Sequence, residues 1–198
     1  MIKYSNGQIF NKISKKSSKS TRKSASFSHG NRGMNLEDDI NLSNDFYRAN
    51  GLCLITKRPT PINVVKVDYS KGAIITNAYF EKQSTTDYNG VYKGRYIDFE
   101  AKSTLKLTSF PLANISKHQI EHLKQVLKHD GIAFFIIEFA KKNQVFLLDA
   151  SYVIDFYENG ERKSIPYKDV QTNGFEIKKG IAPRLNYLEI IDKIYVNS

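Results

Sequence analysis

Polar and apolar residues alternate through residues 95–104, RYIDFEAKST, with the period of a β-strand. Ile97, Phe99 and Ala101 fall on one face; Asp98, Glu100 and Lys102 share the other. A different period marks residues 35–51, where Leu36, Ile40, Ser43 and Tyr47 recur on one helical face with Phe46 beside them and Gly51 as the stop. Residues 116–131 repeat that pattern and predict a second helix burying Ile120, Leu123 and Leu127. Between these lie CLITKRP, NVVKVDYS and AIITNAYFEKQ, β-branched and aromatic runs punctuated by Pro59, Pro61 and Gly72. IAFFIIEFA is apolar on both faces and predicts a central strand, with QVFLLDA as its neighbour. Short helices are expected near 152–157 and 186–195. The order of elements predicts a mixed α/β fold.

Two long extended runs between the first strand and the acidic one admit two readings. They are an ordinary meander, or a β-hairpin stalk over 57–82 that projects from the body and carries Lys57, Arg58, Lys66, Lys71, Tyr69 and Tyr79. Basic and aromatic groups together suit a nucleic-acid backbone and its bases.

The acidic face of 95–104 is open in the same way. Upstream, Asp87 lies thirteen residues before Glu100, with a turn expected at Asn89 and Gly90 that brings the two acids together. Two unit charges at about 4 Å repel by about 4 kcal/mol at an effective dielectric of about 20. A hard Mg²⁺ ion, held by carboxylate oxygens, relieves that repulsion and polarises a phosphodiester. Lys102, projecting to the same side, would offset charge on the transition state. The alternative is a solvated strand face on which Lys102 pairs with Asp98 or Glu100.

The net charge of +10 matters through its distribution. Residues 1–36 hold eight basic side chains and no acid, leaving 22 basic and 20 acidic groups in the rest of the chain. Residues 1–30 are serine- and lysine-rich, and are expected to form a disordered basic arm before a single domain over 31–198. Such an arm fits phosphates, although a merely solubilising tail has the same composition. With one cysteine, Cys53, expected in the core, no intramolecular disulfide forms. No apolar run suits a membrane span or a leader, so a cytoplasmic location is expected.

NRGMNLEDDI, KRPTP, VVKVDY, AYFEKQSTTDYNGVYKGRYIDFEAK, TSFPL, HQIEHL and the final GIAPRLNYLEIIDKIY resemble, in this order, the RecU family of bacterial Holliday-junction resolvases. The resemblance implies a restriction-endonuclease-like core, a mixed central sheet flanked by helices, and a homodimer that nicks four-way DNA junctions in recombination and repair, leaving 5′-phosphate ends. It implies Mg²⁺ as cofactor, with Mn²⁺ substituting, on Thr85, Asp87, Glu100 and Gln119. Lys102 matches the transition-state lysine, and the arm with Arg32 matches a segment that binds junctions and modulates RecA. Ser116 and Gln119 also have capping-box spacing, so Gln119 reads as a helix cap as well as a ligand. Glu37 is expected either near the site or in a surface salt bridge. His118 and His122 are expected to meet solvent, or a phosphate when protonated. A non-catalytic junction-binding accessory is the rival reading.

Overall fold

The computed structural model describes residues 35–81 and 85–196; the expected arm and Arg32 lie outside them. Helix α1 (Leu36–Ala49) opens on an Asn35 cap whose Oδ1 accepts the Asp38 N–H at 2.8 Å, with three acids in the first turn at the positive end of the helix dipole. Strands β1 (Leu54–Lys57), β2 (Ile62–Asp68), β3 (Ile74–Phe80), β4 (Tyr88–Tyr92), β5 (Arg95–Thr104) and β6 (Ser109–Pro111) follow. Next come α2 (Lys117–Lys128), β7 (Ile132–Phe139), β8 (Gln144–Asp149), α3 (Ala150–Asn159), β9 (Ser164–Pro166), α4 (Tyr167–Asn173), β10 (Phe175–Glu176) and α5 (Tyr187–Ile191).

A six-stranded mixed sheet runs β1–β4–β5–β7–β8–β10. Its β5–β7 pair is parallel, α2 making the crossover, and the other pairs are antiparallel. Both faces are covered. Ile97, Phe99, Phe134 and Leu147 pack against α1 and α5, while Ala133, Phe135, Ile137 and Leu148 pack against α2, α3 and α4. This explains why β7 is apolar throughout. α1 buries Leu36, Ile40, Ser43 and Tyr47 as its periodicity predicts. Buried Ser43 is satisfied because its hydroxyl accepts the Leu185 N–H at 2.7 Å, and Tyr47 donates to the Leu185 carbonyl at 2.7 Å.

Among the described residues β2 and β3 pair only with each other, and they are exposed along most of their length, in a two-stranded sheet of their own. The expected stalk therefore has narrower limits than 57–82, its paired strands running from Ile62 to Phe80. Lys57 ends β1 in the central sheet, and Arg58 folds back into the body. The turn expected at Asn89 and Gly90 falls elsewhere: both residues are paired within β4. The chain reverses at Lys93 and Gly94, both with positive φ (48° and 78°). Gly90 has a different reason to be glycine, since a Cβ there would lie 2.0 Å from the Leu54 carbonyl oxygen of β1. Cys53 is half-buried at the core margin, and on α2 Val126 takes the buried place expected for Leu127.

Candidate active site

The β4–β5 register pairs Tyr88 with Phe99 and Asn89 with Asp98, which carries Asp87 to the level of Glu100. The Asp87 N–H donates to Glu100 Oε2 at 3.1 Å. On the opposite face, the rings of Tyr88, Phe99 and Phe134 stack across three adjacent strands with centroids 4.9 and 4.6 Å apart. Each stacked pair adds about 1 kcal/mol beyond burial. Because a one-residue slip would turn every side chain to the other face, this ladder fixes which acids meet.

The charged face of β5 lies under α2, not in solvent. Glu100 is fully buried; its Oε1 accepts Gln119 Nε2 at 2.6 Å and lies 2.6 Å from Lys102 Nζ, which is 24% exposed. Burial, with the adjacent Asp87 charge, pushes the Glu100 carboxyl up to about 8, against the downward pull of Lys102. Gln119 keeps its cap as well, its Oε1 accepting the Ser116 N–H at 2.9 Å. It therefore turns N–H groups, not its oxygen, toward Glu100.

Asp98, two residues away and also fully buried, has the opposite character. Arg58 Nη2 reaches its Oδ2 at 2.7 Å, the Tyr96 hydroxyl donates to it at 2.8 Å, and His122 Nε2 lies 2.9 Å away. The Thr86 hydroxyl donates to Oδ1. Burial alone would raise this carboxyl, but the bonds from His122, Arg58, Thr86 and Tyr96 outweigh it and hold Asp98 below the usual range. His122, expected at solvent or phosphate, is thus an Asp98 partner.

Asp87, Glu100, Lys102 and Gln119 come together, with half-buried Thr85 two residues before Asp87. Lys57 instead pairs with Glu37, and Lys66, Lys71 and Tyr79 are exposed on the hairpin. Thr86, Tyr96 and the inward turn of Arg58 escaped the sequence reading. The available signal was Asp98 itself, an acid on a strand whose other face is core and which therefore needs partners if covered. Among the described residues no group of three or more His, Cys, Asp or Glu side chains gathers to hold a metal. The candidate donors are instead the two carboxylates of Asp87 and Glu100, and burial together with the adjacent Asp87 charge raises the Glu100 carboxyl despite Lys102. That set fits one hard divalent cation that keeps several waters.

Fold and site together define a class: a mixed α/β protein whose sheet holds a buried carboxylate–lysine centre beside a separate, exposed β-hairpin. Comparison with known proteins is more specific. The family model described as "Recombination protein U", RecU, matches residues 31–193, and the chain belongs to that family. A protein named Holliday junction resolvase RecU from Geobacillus sp. strain WCH70 is 51% identical over 172 residues, 84% of this chain and 86% of that protein. The protein of the same name from Bacillus cytotoxicus is 46% identical over 199 residues, covering 98% of each. Among solved structures, Archaeoglobus fulgidus Hjc, a Holliday junction resolvase, matches at 11% identity and a TM-score of 0.40, over 69% of this chain and 94% of that one; likeness at that level carries no argument.

Proposed function

We propose that this protein is an endonuclease that resolves four-way DNA junctions by paired nicks, in recombination and repair. The observation that carries the reading is buried Glu100 with half-buried Asp87 beside it and Lys102 at their mouth. It lies in a family whose curated relatives are named for junction resolution. A divalent ion, Mg²⁺ or Mn²⁺, held by Asp87 and Glu100 supplies Lewis acidity and a water of lowered pKa when bound. Gln119 fixes the Glu100 carboxylate by its amide, and it and Thr85 would add to the holding of the ion. Lys102, paired with Glu100 in the free protein, orients the attacking water and meets the charge that develops on phosphate. The nicks leave 5′-phosphate ends.

A homodimer matches two such centres to the two-fold symmetry of a junction. The exposed hairpin offers Lys66, Lys71 and Tyr79 to the branch point, and Arg32 and the basic arm engage outer phosphates. No helix among the described residues is long and apolar enough to cross a membrane.

The test is incubation of a labelled synthetic four-way junction and a matching linear duplex with Mg²⁺ or EDTA, alongside Asp87→Ala. Symmetric nicks in the junction alone, abolished by EDTA and by the substitution, are expected. Tight junction binding with no cleavage, equal in Asp87→Ala, would replace the enzyme with a binding accessory.

A further inference from the structure

Arg58 sits at the foot of the hairpin, where sequence alone places a cation ready for DNA. Its side chain is turned the other way. Only 19% exposed, it spends its guanidinium on Asp98 at 2.7 Å, on the Tyr96 hydroxyl at 2.8 Å and on the Thr86 hydroxyl at 2.6 Å. Nη1 also approaches the Thr86 carbonyl at 3.3 Å, and the Arg58 main-chain N–H donates to the Asp87 carbonyl at 2.8 Å. One residue thus holds the Thr86–Asp87 segment through both its backbone and its side chain. Asp98 in turn holds Arg58, and Thr86 closes the triangle by donating to Asp98.

We propose that Arg58, locked by Asp98, is a positioning residue that holds Asp87 beside Glu100, and not a contact to DNA phosphate; the inference rests on the nuclease reading above. The physical need is plain. Asp87 precedes β4 and lies outside the strand ladder, and its carboxylate stands close to another of like charge. The Asp87 N–H bond to Glu100 Oε2 ties the two acids directly, and the Arg58 contacts hold the Asp87 segment from outside the pair before a cation arrives. The Arg58 fork suits the task because it binds an acid, a hydroxyl and a carbonyl at once in a fixed plane, which a lysine ammonium on a flexible stem does not. Asp98 suits it because a buried carboxylate with this many donors has one stable arrangement. Its place two residues before Glu100 ties the clamp to the same strand that carries the second acid.

The experiment uses the full chain and the variants Arg58→Lys, Arg58→Gln and Asp98→Asn. Amide hydrogen exchange is measured without metal or DNA, Mn²⁺ binding by titration, and junction affinity in EDTA across a salt series. In all three variants, protection of the peptide covering 85–92 is expected to fall at least about tenfold while β7 stays protected. Mn²⁺ affinity is expected to weaken about 10- to 100-fold, the effect of removing a partner that orients a metal ligand. Junction affinity is expected to stay within about twofold, with an unchanged salt slope. The inference is overturned if Arg58→Lys matches the parent in exchange and Mn²⁺ binding while Arg58→Gln loses junction affinity with a slope lower by about one, because Arg58 is then a phosphate contact. Should Asp98→Asn fail to fold, the two Arg58 variants decide alone. A parent protein that does not cut the junction would sink the proposed activity and not the clamp, because exchange and Mn²⁺ binding are read without substrate.

Discussion

Glu100 and Asp98 lie two positions apart on one strand face, equally buried, yet their carboxyls are displaced in opposite directions. The difference is in their company: donors surround Asp98, whereas Glu100 shares its pocket with the charge of Asp87. A carboxyl raised from an ordinary 4.5 to about 8 favours the folded state when protonated. That contribution is complete below the ordinary carboxylate range and is lost as pH climbs through about 8. In EDTA the melting temperature is therefore expected to fall between about pH 4.5 and about pH 8, and Glu100→Gln to flatten the fall. Metal binding at neutral pH is expected to release a proton, read from calorimetric heats in buffers of different ionisation enthalpy; Asp87→Asn, which removes the repelling charge, should diminish that release. Lys102→Met is expected to lower the nicking rate at saturating junction by about 10²- to 10³-fold, the scale of losing one charge-stabilising donor. Quenched-flow cleavage measures it.

At the scale of elements, the site is a product of register. The Tyr88–Phe99–Phe134 stack locks β4, β5 and β7 from the face opposite the acids. Phe99→Ala is expected to cost roughly 3–5 kcal/mol in denaturant unfolding, from lost burial and the cavity left behind. The alternation of 95–104 was enough to place Ile97, Phe99 and Ala101 in the core and to align Asp98, Glu100 and Lys102, because a strand has a fixed period of two. Alternation does not tell a solvated face from one covered by a helix. Which cation pairs with which acid was equally hidden, since Arg58 and His122 reach Asp98 from 40 and 24 residues away. The reversal at Lys93–Gly94 was misplaced because Asn89–Gly90 carries the stronger local turn signal. Burial of β4 against β1 overrides it there. β6, β9 and β10 span two or three residues each and present no period to read.

For the whole molecule, charge and shape divide the work. The seven basic side chains of residues 1–30, fully engaged with phosphates, contribute about 6 to the log–log salt slope of junction binding at about 0.9 each. Deleting them is expected to flatten that slope by as much, measured by fluorescence anisotropy; an unchanged slope would remove the arm from the interface. The arm's composition was legible because the eight cations of residues 1–36, without an acid, stand out against a nearly neutral remainder. The hairpin was legible only as two extended runs, since nothing in their sequence says whether a third strand covers them. Among the described residues its ribbon pairs with no other strand, and it exposes Val64, Val65, Ile74, Ile75 and Phe80. Such ribbons are templates on which further strands add edge to edge. The irregular register between Val64 and Lys66 bears on that risk, because a bulge breaks the even spacing of free donors and acceptors along an edge. A second ribbon laid alongside is expected to find its hydrogen bonds out of step within a few residues, so the register shift is expected to slow fibril growth along this edge.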